Sequence, residues 1–301
     1  MSLSVSVLIT NYETWPDAAR CARAAVEHSG DALEEALIVD DCSSSMGPDD
    51  LPNPIRVVRN DTNRGYVQSV NIGFSHLDSD IVVLLDSDAE PLMDLVPGVR
   101  EGFDEDPGLG ALALHLVDRD GTPTGAVSPE PTVLHYVLGQ QMGSWLRRAT
   151  RGNGLPSPDR MCLHSCGMAV RREAFEDVGG FDEEFDFLDA DTDFSMRLRQ
   201  AGWRLQKSDD LVAYHEGGGS PQSTAKRVVR HHRNRWRLLQ KHDKLPFPGI
   251  TKLILAFRHS VEYGLLRAAG SFITNRAEER EDKIQGRRIL LRRVWNNYQR
   301  R

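Results

Sequence analysis

The segment Ile-Val-Val-Leu-Leu-Asp-Ser-Asp at residues 81–88 constrains the fold more than any other part of the chain. Its five apolar residues lack the alternation of a half-buried strand, and such a run is typical of a parallel strand covered on both faces. Two carboxylates, Asp86 and Asp88, follow directly. Because ligands of open α/β sheets bind beyond the carboxyl ends of the strands, we expect both acids at a functional site.

The same triplet has a simpler explanation, because Asp and Ser commonly follow strands in solvated turns. Alternate residues of an extended segment point to opposite sides, so Asp86 and Asp88 are poorly placed to share a proton. They could still reach a divalent cation and a ribose from one turn. The short motif alone leaves both explanations open.

Composition indicates a folded protein whose two parts differ strongly in charge. The 301 residues are 40% hydrophobic and 27% charged, which suits one α/β domain with an appendage. Residues 1–220 carry 17 Lys and Arg against 38 Asp and Glu, a net charge of −21, whereas residues 221–301 carry 20 against 6, a net charge of +14. The two parts must therefore meet different partners, or each other.

The cysteines and the lack of a signal peptide or spanning apolar run predict a reducing, cytoplasmic environment. The four cysteines show no C-x-x-C spacing. Cys162, His164 and Cys166 resemble part of a zinc site, but a fourth ligand at suitable spacing is missing. We therefore favour ordinary core positions for them.

Strand and helix signals alternate through the first half, as in successive βαβ units. Polar residues follow three of the predicted strands, namely Thr10-Asn11, Asp40-Asp41 and Asp86-Ser87-Asp88. We expect these strand ends to converge on one polar edge. The predicted strands are 5–9, 35–39, 55–58, 81–85, 109–114 and 167–170, and the predicted helices are 15–28, 65–76, 133–146, 173–178 and 191–201. The irregular region 122–160 is interpreted as a lid or an acceptor-binding segment.

Three helices are predicted at the basic C-terminal end, over 226–241, 250–272 and 276–298. They could pack on the acidic domain, or adsorb to an anionic membrane surface through Lys and Arg. The apolar anchors for a membrane would include Phe257, Leu265, Leu266 and Trp295. Helix 250–272 could equally pair subunits of a homo-oligomer. Nucleic acid is disfavoured because no recognisable binding motif accompanies the charge.

A set of motifs follows in order along residues 5–220. The segments are 6–12, 37–44, 63–65 with 71–73, 84–88, 178–183, 191–193 with Arg197, 202–203 and His215. Together they resemble the bacterial family-2 inverting glycosyltransferases with the GT-A fold, and are rhamnosyltransferase-like. The resemblance implies an α/β fold with a Rossmann-like, mostly parallel central sheet flanked by helices. It implies a GT-A domain over 1–220, with a nucleotide-sugar half (1–95) and an acceptor half (96–220). The helical pattern and the charge of residues 221–301 add a basic C-terminal helical appendage.

The resemblance implies roles for individual residues. Asp40 or Asp41 would accept from the N3–H of uracil or thymine, and Asp86 would approach the ribose or sugar. Asp88 would bind the Mg²⁺ or Mn²⁺ that bridges the diphosphate, and His215 is a further candidate ligand. The other residues implied to bind the donor are Thr10, Asn11, Asn63 and Gly65.

The reaction needs a general base for the acceptor hydroxyl, and the resemblance points to Asp191. This chain departs from the family's Glu-Asp-x-Asp pattern, because Ala190 stands where Glu is usual and Asp189 lies one residue earlier. Asp189 is therefore a rival base. Helix capping is the structural alternative for Asp191 and Asp193.

The sequence thus predicts a metal-aided, inverting transfer of a sugar from a UDP- or dTDP-sugar to a saccharide or lipid-linked acceptor, for cell-surface polysaccharide or glycolipid synthesis. The expected location is the cytoplasm, peripherally at the inner face of the cell membrane. One alternative is a sugar-phosphate nucleotidyltransferase, although residues 10–13 offer no Gly-rich phosphate loop. The other is a catalytically degenerate GT-A scaffold, which the Ala190 departure supports.

Overall fold

The computed structural model describes residues 2–139, 142–143, 145, 149, 154–215, 224–268 and 277–298. The chain forms two compact units, 1–130 with 155–219 and 131–154 with 220–301. Residues 131–154, which the sequence placed in the first domain, cluster with the C-terminal helices. The functional division at residue 220 stays a prediction.

The first unit contains an eight-stranded sheet. Its strands are β1 Val5–Asn11, β2 Ala36–Asp40, β3 Ile55–Arg59, β4 Ile81–Asp86, β5 Ala89–Pro91, β6 Leu109–Val117, β9 Gly167–Arg171 and β10 Arg204–His215, and a separate pair joins β7 Val127–Pro129 to β8 Met161–Leu163. The order in the sheet is β3-β2-β1-β4-β9-β6-β10-β5. Four of the seven neighbouring pairs are parallel, and the pairs β4–β9, β6–β9 and β5–β10 are antiparallel. The predicted α/β fold with a mostly parallel sheet is confirmed.

The centre of this sheet is buried because β4 is apolar along its whole length. Its five residues from Ile81 to Leu85 are fully buried, and its neighbours are β1 and β9. Helices pack against the strands, and Gly73 allows one of them to approach β1 closely, since an added Cβ would lie 2.3 Å from Leu8 Cδ1. The helices of this unit are α1 Trp15–Ser29, α2 Tyr66–Ser75, α3 Val96–Glu105, α5 Arg172–Asp177 and α6 Ala190–Gln200.

Strand β10 was missed by the sequence analysis. It is largely polar, and its pairing with β6 shifts register between Lys207 and Val212. No regular alternation survives such an irregularity. The end of β10 pairs antiparallel with β5, which sets His215 opposite Ala89. This pairing brings His215 next to the segment that contains Asp86 and Asp88.

The second unit is helical, and its core comprises Tyr136, Trp236, Leu239, Leu255, Leu290, Val294 and Tyr298. Its helices are α4 Val133–Leu138, α7 Thr224–Lys241, α8 Pro248–Ala268 and α9 Ala277–Arg293. Helix α4 is shorter than predicted and is followed by Gly139 at φ +81°, while most of 140–146 lies outside the described residues. Residues 269–272 and 276 of the two last predicted helices also lie outside them. Among the described helices, none combines the length and apolar character needed to cross a bilayer.

Candidate active site

The predicted convergence of strand ends is observed. In the register of the sheet, Thr10 at the end of β1 lies beside Asp86 of β4, and Asn11 lies beside Asp40 of β2. The turn after β4 is joined to the loop after β1 by Thr14 Oγ1, which lies 2.9 Å from Ser87 Oγ. The carboxyl ends of three adjacent parallel strands therefore form one polar edge.

Asp86, Asp88 and His215 form a cluster at this edge. His215 Nε2 lies 3.5 Å from Asp88 Oδ1 and 3.9 Å from Asp86 Oδ2. One ligand atom from each residue lies within 4.8 Å of the others, and within the described parts of the chain this is the group that could hold a metal ion. The Cys162, His164 and Cys166 segment forms no such group there.

The spacing and chemistry of this cluster fit a divalent cation. An ion with ligands at about 2.1 Å separates adjacent ligand atoms by about 3.0 Å and opposite ones by about 4.2 Å. The two distances from His215 Nε2 fall between these limits. All three side chains are partly exposed, so a cation has access from solvent.

The charges of the three groups depend on one another. Burial raises the pKa of Asp86 to about 6. A hydrogen bond with His215 lowers the pKa of Asp88, and the same bond raises the pKa of His215. The cluster therefore attracts positive charge.

Asp40 is fully buried and its carboxylate is already surrounded by donors. It accepts from Asn11 Nδ2 at 2.7 Å, from Arg59 Nη1 at 2.7 Å and from the Ser43 hydroxyl. Asn11 is buried as well, and its Oδ1 accepts from the backbone of Thr14. These two predicted donor-binding residues hold the loops after β1 and β2 in place.

Asp41 shapes the turn that precedes α2. Its carboxylate accepts from the backbone N–H groups of Arg64 and Gly65, both at 2.7 Å, and from Asn60 Nδ2 at 2.9 Å. Gly65 has φ +87°, a conformation that favours glycine. Asn63 is exposed on this turn, and Thr10 is partly exposed at the end of β1. Base recognition by Asp40 or Asp41 stays a prediction.

Asp191 lies in the first turn of α6 and is electrostatically linked to the cluster. Its Oδ1 accepts from the backbone N–H of Thr192 at 2.7 Å, and burial raises its pKa. The charge of Asp191 in turn raises the pKa of Asp86. The structure thus brings the predicted base to the same site as the acids after β4, although the two are about a hundred residues apart in sequence.

The two neighbouring acids of α6 differ from Asp191. Asp189 precedes the helix with φ +67° and is almost completely buried. Asp193 is fully buried and pairs with Arg197 at 2.7 Å, and Arg197 also donates to the carbonyl of Val178. Asp193 therefore anchors α6, which is a structural role.

Tyr66 was not singled out from the sequence. Burial, with the charges of Asp86 and Asp191, raises its pKa well above the usual value, so its phenol lies near both acids. Its ring meets Phe187 edge to face, with the centroids 5.3 Å apart. The available sequence signal was its place directly after Gly65.

Family models match most of the chain. The model described as Glycosyl transferase family 2 matches residues 6–179, and the model described as Glycosyl transferase family 21 matches residues 148–264. The nucleotidyltransferase alternative gains no support from either match.

Two curated relatives are each 26% identical to the chain. One is an N-acetylglucosaminyl-diphospho-decaprenol L-rhamnosyltransferase of Mycobacterium tuberculosis, matched over 208 residues, which are 62% of this chain and 67% of the relative. The other is an inactive polypeptide N-acetylgalactosaminyltransferase-like protein 5 of Macaca fascicularis, matched over 58% of this chain and 42% of the relative.

Solved structures share the fold. A mannosyltransferase, PcManGT from Pyrobaculum calidifontis in complex with GDP-Man and Mn²⁺, is 16% identical with a TM-score of 0.59, over 98% of this chain and 88% of that chain. GalNAc-T7 with UDP, GalNAc and Mn²⁺ is 16% identical with a TM-score of 0.57, over 94% of this chain and 55% of that chain. TarS of S. aureus (1–349) is 17% identical with a TM-score of 0.52, over 98% and 88%.

The family-2 match covers more than half of the 301 residues. The solved structures agree with the α/β architecture of the first unit. The chain is therefore a glycosyltransferase with the GT-A fold, and it belongs to glycosyl transferase family 2.

Proposed function

We propose that this glycosyltransferase moves a hexose from a nucleotide diphosphate sugar to an acceptor hydroxyl with inversion at the anomeric carbon. The observation that supports this most is the Asp86, Asp88 and His215 cluster with Asp191 in the same site. The cluster suits the diphosphate side of a donor, and Asp191 suits the acceptor side. A single displacement needs one base and no covalent nucleophile.

In this proposal Asp88 and His215, with Asp86, would hold a Mn²⁺ or Mg²⁺ ion. When bound, such an ion neutralises the negative charge that develops on the leaving nucleoside diphosphate. Two carboxylates with one imidazole nitrogen are softer than the all-oxygen set that Mg²⁺ prefers, which favours Mn²⁺. The strand ends that carry Thr10 and Asp86 would line the donor pocket together with Asn63 and Gly65.

Asp191 would take the proton of the acceptor hydroxyl as its oxygen attacks the anomeric carbon. The new glycosidic bond forms as the bond between that carbon and the diphosphate oxygen breaks. The bonding pair leaves with the nucleoside diphosphate, and the proton stays on Asp191. A raised pKa makes Asp191 a stronger base than an ordinary aspartate, while it remains ionised at a sufficiently high pH.

The substrates are proposed from the relatives. A relative named as a rhamnosyltransferase of a lipid diphosphate supports a lipid-linked acceptor. The donor in this proposal is a dTDP- or UDP-sugar. The corresponding role is cell-surface polysaccharide or glycolipid synthesis at the cytoplasmic face of the membrane. Saccharide acceptors without lipid remain part of the proposal.

A transfer assay tests this function. The purified chain is incubated with Mn²⁺, an N-acetylglucosaminyl-diphospho-polyprenol acceptor, and either dTDP-rhamnose or a UDP-hexose, and the product is analysed by NMR. We expect one donor to give a glycoside of inverted anomeric configuration. A product that retains the donor's configuration, or no product from any donor, would refute the proposal.

A further inference from the structure

Helix α8 presents apolar side chains to solvent along one side. Ile250, Leu253, Ile254, Phe257, Val261 and Leu265 are between 44% and 71% exposed. Their spacing of three and four residues places them on one face of a helix. We call these six residues the apolar face of α8.

The opposite side of α8 carries polar groups toward the protein. Thr251 and His259 are buried there beside Leu255, and Arg258 pairs with Glu262 at 3.2 Å. An ordinary surface helix has the reverse arrangement, with its apolar side chains inside. A contiguous exposed apolar surface of this kind marks an interaction site.

We infer that the apolar face of α8 is the surface by which this protein docks on an anionic lipid bilayer. The anionic bilayer is favoured as the binding partner because residues 221–301 carry a net charge of +14. Arg288 and Arg292 are exposed on α9, which packs against α8. Anionic headgroups attract such basic segments.

Two exposed aromatic residues lie near α8. Phe247, 65% exposed, directly precedes α8. Lys252 Nζ donates to the backbone carbonyl of Trp295 at 3.2 Å, so this residue, 54% exposed, lies beside the first half of α8. Large apolar rings with Lys and Arg nearby are typical of helices that lie in the plane of a membrane interface.

Helix α8 would lie on the surface of the bilayer. Helix α8 has 21 residues, so it extends for about 30 Å, and only one of its faces is apolar and exposed. The apolar residues of α7 do not contribute, because Trp236, Leu238 and Leu239 are buried in the second unit. The lipid contact therefore lies on α8 and the residues that flank it.

This inference deepens the proposed function, because it names the place where the chain meets the membrane that would hold a lipid-linked acceptor. It rests on that function only for the identity of the acceptor. Vesicle binding needs no turnover, so a failure of docking and a failure of transfer are separate results.

Vesicle flotation of the full chain tests the inference. Vesicles of phosphatidylglycerol are compared with vesicles of phosphatidylcholine, for the wild type and for the double variant Leu253→Gln with Phe257→Gln. We expect the wild type to float with phosphatidylglycerol and the double variant to bind about 100-fold more weakly, about tenfold for each side chain. Leu155→Gln, which removes an apolar side chain that is 63% exposed and lies outside α8, is the matched control and should bind as the wild type does.

Circular dichroism and donor hydrolysis establish that the double variant is folded. Arg288→Gln with Arg292→Gln should weaken binding and reduce its salt dependence. Equal flotation of the wild type and the folded Leu253/Phe257 variant would overturn the inference. A wild type that does not float with phosphatidylglycerol would overturn it as well. If that wild type is a dimer by light scattering and the same variant is a monomer, the occupant of the apolar face is a second copy of the chain.

Discussion

Replacing Asp191 by Asn should slow transfer strongly while leaving the protein folded. The Asn side chain keeps an oxygen that can accept from the Thr192 N–H, where Asp191 Oδ1 accepts at 2.7 Å. The exchange therefore removes the ability to take a proton and little else. The local backbone and the donor side of the site should be unchanged.

The size of the effect follows from that single loss. A positioned general base contributes about 10² to 10⁴ in rate, so we expect kcat to fall about 10³-fold, equivalent to about 4 kcal/mol of transition-state stabilisation. The KM for the donor should change little. The free energy of unfolding should not fall with the rate, because burial raises the pKa of Asp191 in the folded state.

A folded-state pKa above the unfolded value means that the folded state binds the proton more tightly, so stability falls as pH rises from the ordinary value of 3.8 through the raised value. At neutral pH the ionised, partly buried carboxylate is therefore destabilising. Asp191→Asn should be at least as stable as the wild type in urea.

The measurement is steady-state kinetics with a coupled assay for nucleoside diphosphate. It is run from pH 4 to pH 8, about the range in which an aspartate with a raised pKa titrates. The wild-type rate should rise with pH, and the apparent pKa of this rise should lie above the ordinary pKa range of aspartate. Asp189→Asn is the matched control, because Asn tolerates the left-handed conformation at φ +67°. Full activity of Asp191→Asn, or loss of activity only in Asp189→Asn, would show that Asp191 is not the base.

Three further predictions concern stability and metal. Gly73→Ala places a methyl group against Leu8, so overpacking of about 1–3 kcal/mol should exceed the gain of about 1 kcal/mol in helix propensity and lower the free energy of unfolding in urea. Arg59→Gln leaves the buried Asp40 without its cation and should cost about 3 kcal/mol, whereas Arg56→Gln in the same strand removes an exposed pair and should cost at most about 1 kcal/mol. Chelation by EDTA should lower the melting temperature measured with donor present, and it should leave the melting temperature of the metal-free chain unchanged. An equal shift of the melting temperature in the two samples would contradict a shared metal and donor site.

The sequence was sufficient for the strands with strong patterns. The apolar run of β4 and the acids at its end were readable because burial on both faces requires an uninterrupted apolar strand. The polar strand β10 was not readable, because its irregular register with β6 removes the alternation. His215 was found through its motif, yet its position opposite Ala89 depends on the pairing of β5 with β10.

The sequence predicted the roles of the acids at the site only in part. No local pattern shows that Asp40 is surrounded by Asn11, Ser43 and Arg59, because these residues come from three different segments of the chain. Helix α8 was predicted, but periodicity identifies an apolar face without showing whether it is buried. That depends on tertiary packing, which in this protein places polar groups of α8 inside.

In the proposed function, Asp86, Asp88 and His215 bind the metal and the diphosphate of a sugar donor. The measurement is the release of nucleoside diphosphate from the donor that gives product in the transfer assay. It is made with Mn²⁺ and with EDTA, and repeated for Asp88→Asn. We expect release with Mn²⁺, loss of release in EDTA, recovery when Mn²⁺ is added in excess, and no recovery for the variant. Release that persists in EDTA and in Asp88→Asn would contradict this role.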